Sequence, residues 1–223
     1  MTDGDDGAGD HRSPTRIREV YDDIADHFSK TREYAWPEVE EFLADASGER
    51  GLDVGCGNGR HTELLAAHVD RAVGADVSRG LLTSARDRME DRDWRGALVQ
   101  GDAAALPFAT DTFDVGIYVA TLHHLPTRER RRRSLDELAR VLCDGGRALV
   151  SAWSTAHDRF DAPADAETGF DTTVDWTLPG GETVPRFYHI YAPAEFEADL
   201  ESSALTVASV RISSGNCYAD VRA

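Results

Sequence analysis

The sequence predicts an α/β fold: a seven-stranded, mostly parallel sheet with helices on both faces, closed by an antiparallel C-terminal hairpin. Three observations point to it. The stretch Leu52-Asp53-Val54-Gly55-Cys56-Gly57-Asn58-Gly59-Arg60 reads as a buried strand that ends in a glycine-rich turn and opens a helix. Two further strands, 71–76 and 96–100, lead into acids at Asp76 and Asp102, and parallel sheets assemble ligand sites at such carboxyl ends. The run Phe113–Val119 is almost continuously apolar, as a strand covered on both faces should be.

Composition sets the limits. The 223 residues suffice for one α/β domain with a full core but hardly for two. No apolar run approaches about 18 residues, and the acidic, glycine-rich N-terminus has no secretory pattern, so the expected location is the cytoplasm, without a membrane partner. Cys56, Cys143 and Cys217 are too few and too widely spaced for a disulfide framework or a metal knuckle, and no metal is expected. The formal charge is -17. Lys30 is the single lysine among 24 basic residues, and the acids are spread along the whole chain, a bias resembling that of proteins from salt-loving organisms. Net charge therefore says little about a nucleic-acid partner, and local arginine placement says more.

In chain order, residues 1–13 read as a disordered acidic tail ahead of one domain, 14–223. Ile17, Val20, Tyr21, Ile24 and Phe28 recur at helical spacing, and a second short helix starts at Pro37, so 14–48 form an N-terminal helical cap. The connector between them carries Arg32, Tyr34 and Trp36, the residue types of a lid over a substrate. Helices are expected over 61–69, 78–89, from Arg128, and from Pro193; strands over 147–153, 205–212 and 216–221 complete the seven. Residues 154–190 form an insertion on the substrate side: 154–185 lose periodicity, and Arg186-Phe187-Tyr188-His189-Ile190-Tyr191 returns as an ordered aromatic and basic segment.

The glycine spacing selects a cofactor class. A dinucleotide site wants G-x-G-x-x-G, whereas here the third glycine comes one residue early and Arg60 stands where the last should be. An acid about 20 residues past the loop, Asp76, suits the two ribose hydroxyls of a nucleoside. The pattern D-x-G-x-G-x-G resembles the first motif of the class I S-adenosylmethionine-dependent methyltransferases, with their Rossmann-like sheet. Further segments are more specific: Tyr21-Asp22-Asp23-Ile24-Ala25 with His27-Phe28-Ser29; Gly57-Asn58-Gly59; His123-His124 with Thr127-Arg128-Glu129; Trp176 with Leu178-Pro179; and Arg186-x-Tyr188-His189-x-Tyr191. Together, over roughly 17–221, they resemble the tRNA wobble-uridine carboxymethyl methyltransferases, including the methyltransferase half of an AlkB-homologue fusion protein. Cys217 departs from the aromatic usual there, and Cys143-Asp144 from the usual proline before paired glycines.

That resemblance implies S-adenosyl-L-methionine as cofactor, with contacts at Asp53, Gly55, Cys56, Gly57 and Gly59 on the loop, Asp76 and Val77 after the second strand, Asp102 and Ala103 after the third, and Ala120 after the fourth. It implies methyl transfer to the carboxylate of 5-carboxymethyluridine in the tRNA anticodon stem-loop. It places Arg32 and Arg186 on that carboxylate and His124 as the orienting group, with binding of the cofactor's own carboxylate as the competing role for Arg32. A carboxylate of pKa about 4 is already anionic at neutral pH, so positioning rather than a strong base is needed, and arginine suits the task. The run Arg128, Arg130, Arg131, Arg132 and Arg133 is either a face paired with nearby acids or a ridge for phosphates, with Trp36, Trp176 or Tyr188 adding stacking. The resemblance also implies a small zinc-binding activator subunit, for which strand 96–100 at the sheet edge is the natural seat. A methyltransferase acting on a small molecule such as a quinone precursor is the alternative, and a cofactor-binding scaffold without catalysis is a third reading.

Overall fold

The computed structural model describes residues 12–163 and 166–223. Most of the tail expected over 1–13 lies outside the described residues. Its last two residues already belong to the fold: Ser13 caps the first helix by accepting the Arg16 N–H, and Arg12 pairs with Asp171 at 3.5 Å. A serine cap is worth about 1 kcal/mol.

Helices α1 (Pro14–Lys30) and α2 (Pro37–Ala44) precede the sheet. Then β1 (Gly48–Val54), α3 (Arg60–Leu65), β2 (Val69–Asp76), α4 (Arg79–Asp91), β3 (Ala97–Gln100) and β4 (Phe113–Tyr118) alternate, and a single 3-10 turn covers Leu122–His124. Helix α5 (Arg128–Val141), β5 (Leu142–Trp153), β6 (Phe170–Thr177), β7 (Thr183–Ile190), α6 (Pro193–Glu201), β8 (Thr206–Ser213) and β9 (Asn216–Arg222) follow. The main sheet has seven strands in the order β3-β2-β1-β4-β5-β9-β8: the first five pair parallel, and β9 pairs antiparallel with both β5 and β8 to form the C-terminal hairpin. This is the fold class expected from the sequence.

Burial explains the layers. Leu135, Leu138 and Val141 of α5 and Phe196 and Leu200 of α6 pack on one face of the sheet against Leu52, Val54 and Val150. Val39, Phe42 and Leu43 of α2 and Leu65 of α3 pack on the other, against Val115, Ile117 and Leu149. Strand order reverses between β1 and β4, so the crevice above their carboxyl ends is where a ligand fits. Helix α1 crosses above it and docks on α4: the Asp22 carboxylate accepts from the Ser78 hydroxyl at 2.7 Å and the Gly80 N–H at 2.8 Å.

Three local expectations change. The helix expected over 61–69 stops at Leu65, and Val69 already opens β2. Strand β5 begins at Leu142 rather than Arg147, so the paired glycines 145 and 146 form a bulge within it, Gly145 at φ +75°. Within the insertion, β6 and β7 pair antiparallel in a sheet of their own, joined across Gly180 and Gly181 at φ +109° and +91°. Only Val174 of β6 is buried, which leaves its strand pattern without the alternation a sequence reading needs. Trp176, Leu178 and Val184 of this hairpin pack on Tyr21, Ile24 and Leu81, so hairpin and α1 together roof the crevice. Among the described residues no helix is long and apolar enough to cross a membrane, and no cluster of three or more His, Cys, Asp or Glu could hold a metal ion.

Candidate active site

A cleft of about 1280 Å³, open mouth included, lies between the strand ends and the roof. The glycine loop forms its floor. Gly55 and Cys56 donate N–H bonds to the Ala75 carbonyl at 2.7 and 3.0 Å, which folds the loop back onto β2. A Cβ on Gly55 would lie 2.1 Å from the Thr121 hydroxyl, so no larger residue fits there. Gly57 differs: it has φ +55°, and a Cβ on it would meet only Phe28, at 3.9 Å, so its bare face opens on the cleft. Its N–H donates to Asp76 Oδ2 at 2.9 Å, while Asp76 Oδ1 accepts from the Ser78 N–H at 2.8 Å. Burial raises the Asp76 carboxyl to about 6, the two backbone N–H bonds opposing the rise.

Asp76, Val77, Asp102, Ala103 and Ala120 line the cleft with Gly55, Cys56 and Gly57. Asp102 is tied on one oxygen to the Ala104 N–H at 2.9 Å and on the other to Arg130 at 2.5 Å. Ala120 holds a left-handed φ of +55°, unusual for alanine, with its N–H donated to the Ser151 hydroxyl at 3.1 Å. A bare glycine face, an acid beneath it and a second acid one strand further match the shape and donor needs of S-adenosylmethionine.

Two expected contacts fall elsewhere. Asp53 does not line the cleft: it is buried behind the loop, accepts the Thr62 hydroxyl at 2.7 Å, and burial raises its carboxyl to about 7. Gly59 is likewise outside the lining and serves as the N-cap of α3 at φ +78°, where a side chain would press on Ala85 and Trp94.

The roof carries the cations. Arg186 on β7 is only 5% exposed, yet no carboxylate pairs with it among the described residues. Its guanidinium lies 4.9 Å from the Trp176 ring and 5.1 Å from the Tyr188 ring, and its Nε has no hydrogen-bond partner. Arg32 lies over the other neighbours of the same box, 5.0 Å from Phe28 and 5.5 Å from Trp176, and among the described residues its guanidinium donates only to the Thr31 carbonyl and hydroxyl. The Trp176 indole N–H is fixed on His27 at 3.1 Å.

His124 stands below them, neutral. Its Nδ1 lies 3.0 Å from the Phe187 carbonyl, which can only accept, so Nδ1 carries the proton and Nε2 accepts the Tyr21 hydroxyl at 2.9 Å. Burial pulls the His124 imidazole down to about 3, only partly offset by the Phe187 bond. His123 is buried too, stacked on Tyr188 at 4.9 Å and accepting the Trp153 N–H at 3.0 Å, and burial holds it well below the usual histidine range. Neither imidazole is charged near neutral pH.

Of the lining residues that sequence reading did not assign, three lie inside its glycine motif or beside it. Asn58 sends its amide N–H to the Arg32 carbonyl at 2.8 Å and the Ser29 carbonyl at 3.3 Å, so it holds the connector after α1 over the loop. Arg60 lies 5.1 Å above Trp36, and His61 accepts the Trp36 N–H at 3.4 Å. Tyr34 of the same connector points outward, 72% exposed.

The arginine run of α5 is mostly paired inward. Arg128 and Arg132 both donate to Asp199 at 2.8 Å, buried Arg131 donates to the Tyr191 hydroxyl at 2.9 Å and reaches Glu195 at 3.4 Å, and Arg130 holds Asp102. Among the described residues Arg133 alone of the five is exposed without an ion pair, so this helix fits the reading of a face paired with acids better than that of a phosphate ridge. Tyr188 is buried as well, and not free to stack on a base from outside.

The family model "Methyltransferase domain" matches residues 52–150. A protein of Encephalitozoon cuniculi described as a methyltransferase is 36% identical over 179 residues, 78% of this chain and 80% of that protein. The tRNA (carboxymethyluridine(34)-5-O)-methyltransferase of Saccharomyces cerevisiae is 35% identical over 172 residues, 76% of this chain and 59% of the relative. The chain spans between 20% and 59% of the length of the first four curated relatives. Among solved structures, the DhpI complex with S-adenosylhomocysteine has a TM-score of 0.71 at 19% identity, covering 96% of this chain and 98% of that one, which is a likeness of fold.

Proposed function

The chain belongs to the S-adenosylmethionine-dependent methyltransferases, and from that premise we propose that it methylates the carboxylate of 5-carboxymethyluridine at the tRNA wobble position, giving the methyl ester. One observation carries the choice of acceptor: the cleft holds two guanidiniums, Arg32 and Arg186, around Trp176, with no acid of the described chain to neutralise either. A desolvated, unpaired cation is unfavourable until an anion joins it. The name of the yeast relative supplies the particular anion.

When bound, the cofactor supplies a methyl carbon activated by its sulfonium sulfur. The chain's own residues then have to bind, orient and exclude water. Gly57 gives the backbone an open face, Asp76 accepts the ribose hydroxyls, and Asp102 sits where the base ends. Arg32 and Arg186 grip the acceptor carboxylate, leaving one oxygen free toward the methyl group. Orientation of this kind replaces base catalysis, since the attacking oxygen carries no proton to remove. His124 does not act as a base either; both ring nitrogens are engaged, and it fixes the Tyr21 hydroxyl against Arg186 and Tyr188.

The test is nucleoside mass spectrometry of tRNA lacking the ester, incubated with the chain and S-adenosylmethionine, with and without the zinc-binding subunit the resemblance implies. Strand β3, at the sheet edge with Ala97 exposed, offers that subunit a place. The methyl ester at the wobble uridine is the expected product. Methylation of a small metabolite with tRNA left unchanged would overturn the acceptor assignment.

A further inference from the structure

Among the described residues, three arginines line the cleft without an acid partner: Arg60, Arg32 and Arg186. Arg32 is linked to both others: it shares the Trp176 ring with Arg186, and the connector that carries it also supplies the Trp36 ring and the Tyr34 carbonyl that hold Arg60. Neither cleft acid forms an ion pair with them: Asp76 accepts from the Gly57 and Ser78 N–H groups, and Asp102 pairs with Arg130. The acid nearest in effect to Arg60 is Asp53, behind the loop and bonded to Thr62. Burial and then the Arg32 charge pull Arg60 down to about 10, so it remains a cation at neutral pH. A row of three such cations has room for two anions, one at each end.

We propose that Arg60 binds the amino-acid carboxylate of S-adenosylmethionine, which leaves Arg32 and Arg186 to the acceptor. Arg60 directly follows the glycine loop, on the same turn as the open face of Gly57. Its guanidinium is held flat: the Trp36 ring lies 5.1 Å beneath, and Nη1 donates to the Tyr34 carbonyl at 3.3 Å. The remaining N–H groups stay available for the paired bonds a carboxylate makes. Arg186 is at the opposite end, between Trp176 and Tyr188 on the hairpin. The two ends thus sort the two carboxylates of the reaction. This inference rests on the methyl-transfer reading of the cleft, but not on the identity of the acceptor.

Calorimetric titration of the full chain with S-adenosylhomocysteine and with 5′-methylthioadenosine tests it, since the second ligand keeps the nucleoside and lacks the amino-acid end. Arg60→Gln is expected to weaken S-adenosylhomocysteine roughly 10- to 100-fold, the span of a lost charge-assisted hydrogen bond, and 5′-methylthioadenosine by less than about 2-fold. Arg32→Gln is expected to leave both ligands unchanged. Arg60→Lys, which keeps the charge and loses the fork, guards against a folding defect and should fall between wild type and Arg60→Gln. Equal losses for both ligands in Arg60→Gln, no loss for either, or a selective loss in Arg32→Gln would each overturn the proposal. A wild-type chain that binds neither ligand would instead undo the methyl-transfer reading beneath it.

Discussion

The two walls of the cleft are built on opposite plans. On the floor, the polar groups already have partners within the chain: Gly57 and Ser78 on Asp76, Ala104 and Arg130 on Asp102. Most are backbone groups fixed by strand ends close together in sequence. The roof is made of side chains from α1, the turn after β4 and the β6–β7 hairpin, and among the described residues its arginines lack acidic partners, with an orphan Nε on Arg186. A wall that reads neutral hydroxyls can be satisfied before its ligand arrives. One that reads a charge must keep its countercharge in reserve, shielded by aromatic faces that compete weakly for it.

This contrast can be broken by experiment, most sharply on the roof. Arg186→Gln should lower methyl transfer roughly 100- to 1000-fold, as loss of a preorganised charge contact does, while S-adenosylhomocysteine affinity measured by calorimetry stays within about 2-fold. If affinity falls in step with turnover, the walls are not separate. On the floor, Asp76→Ala should weaken S-adenosylhomocysteine roughly 10- to 100-fold. A smaller effect comes from pH. Ribose hydroxyls donate to the ionised Asp76 carboxylate, whose proton leaves at about 6, so affinity should be constant above that value and decline below it, approaching tenfold per unit. Asp76→Asn should abolish the decline; its persistence would assign the proton elsewhere. The smallest effect is expected at Asp53→Asn, within about 2-fold in affinity, because that side chain faces Thr62 and not the cleft. A loss as large as that of Asp76→Ala would put Asp53 back in the ligand site.

The same contrast decides what was legible in the sequence. The floor could be read because its residues follow from strand ends: a glycine turn after β1, then acids after β2 and β3, each within a few residues of a recognisable apolar run. Two of its positions were misjudged because a strand end has a back as well as a front, and Asp53 and Gly59 face backwards. For the roof, resemblance singled out Arg32, His124 and Arg186, and the fold brings all three to the cleft, but no spacing along the chain relates Tyr21 to His124 or Trp176 to His27. The hairpin was hidden for a similar reason. It packs edgewise on a helix, so β6 buries only one side chain, and the surviving local signal was Gly180-Gly181 between two β-rich runs. The arginine run shows the limit of charge patterns: its partners, Glu195 and Asp199, come more than sixty residues later.

Those inward-turned arginines bear on how fast the enzyme meets a polyanion. With Arg128, Arg130, Arg131 and Arg132 occupied by the chain's own acids, little positive field is left outside to offset a formal charge of -17. If the acceptor is tRNA, as proposed, encounter with it is uphill electrostatically until the last few ångströms, and screening removes a barrier instead of an attraction. On that reading, added salt should raise the association rate constant of this chain for tRNA where it lowers that of ordinary tRNA-binding proteins, which stopped-flow binding at graded salt would measure.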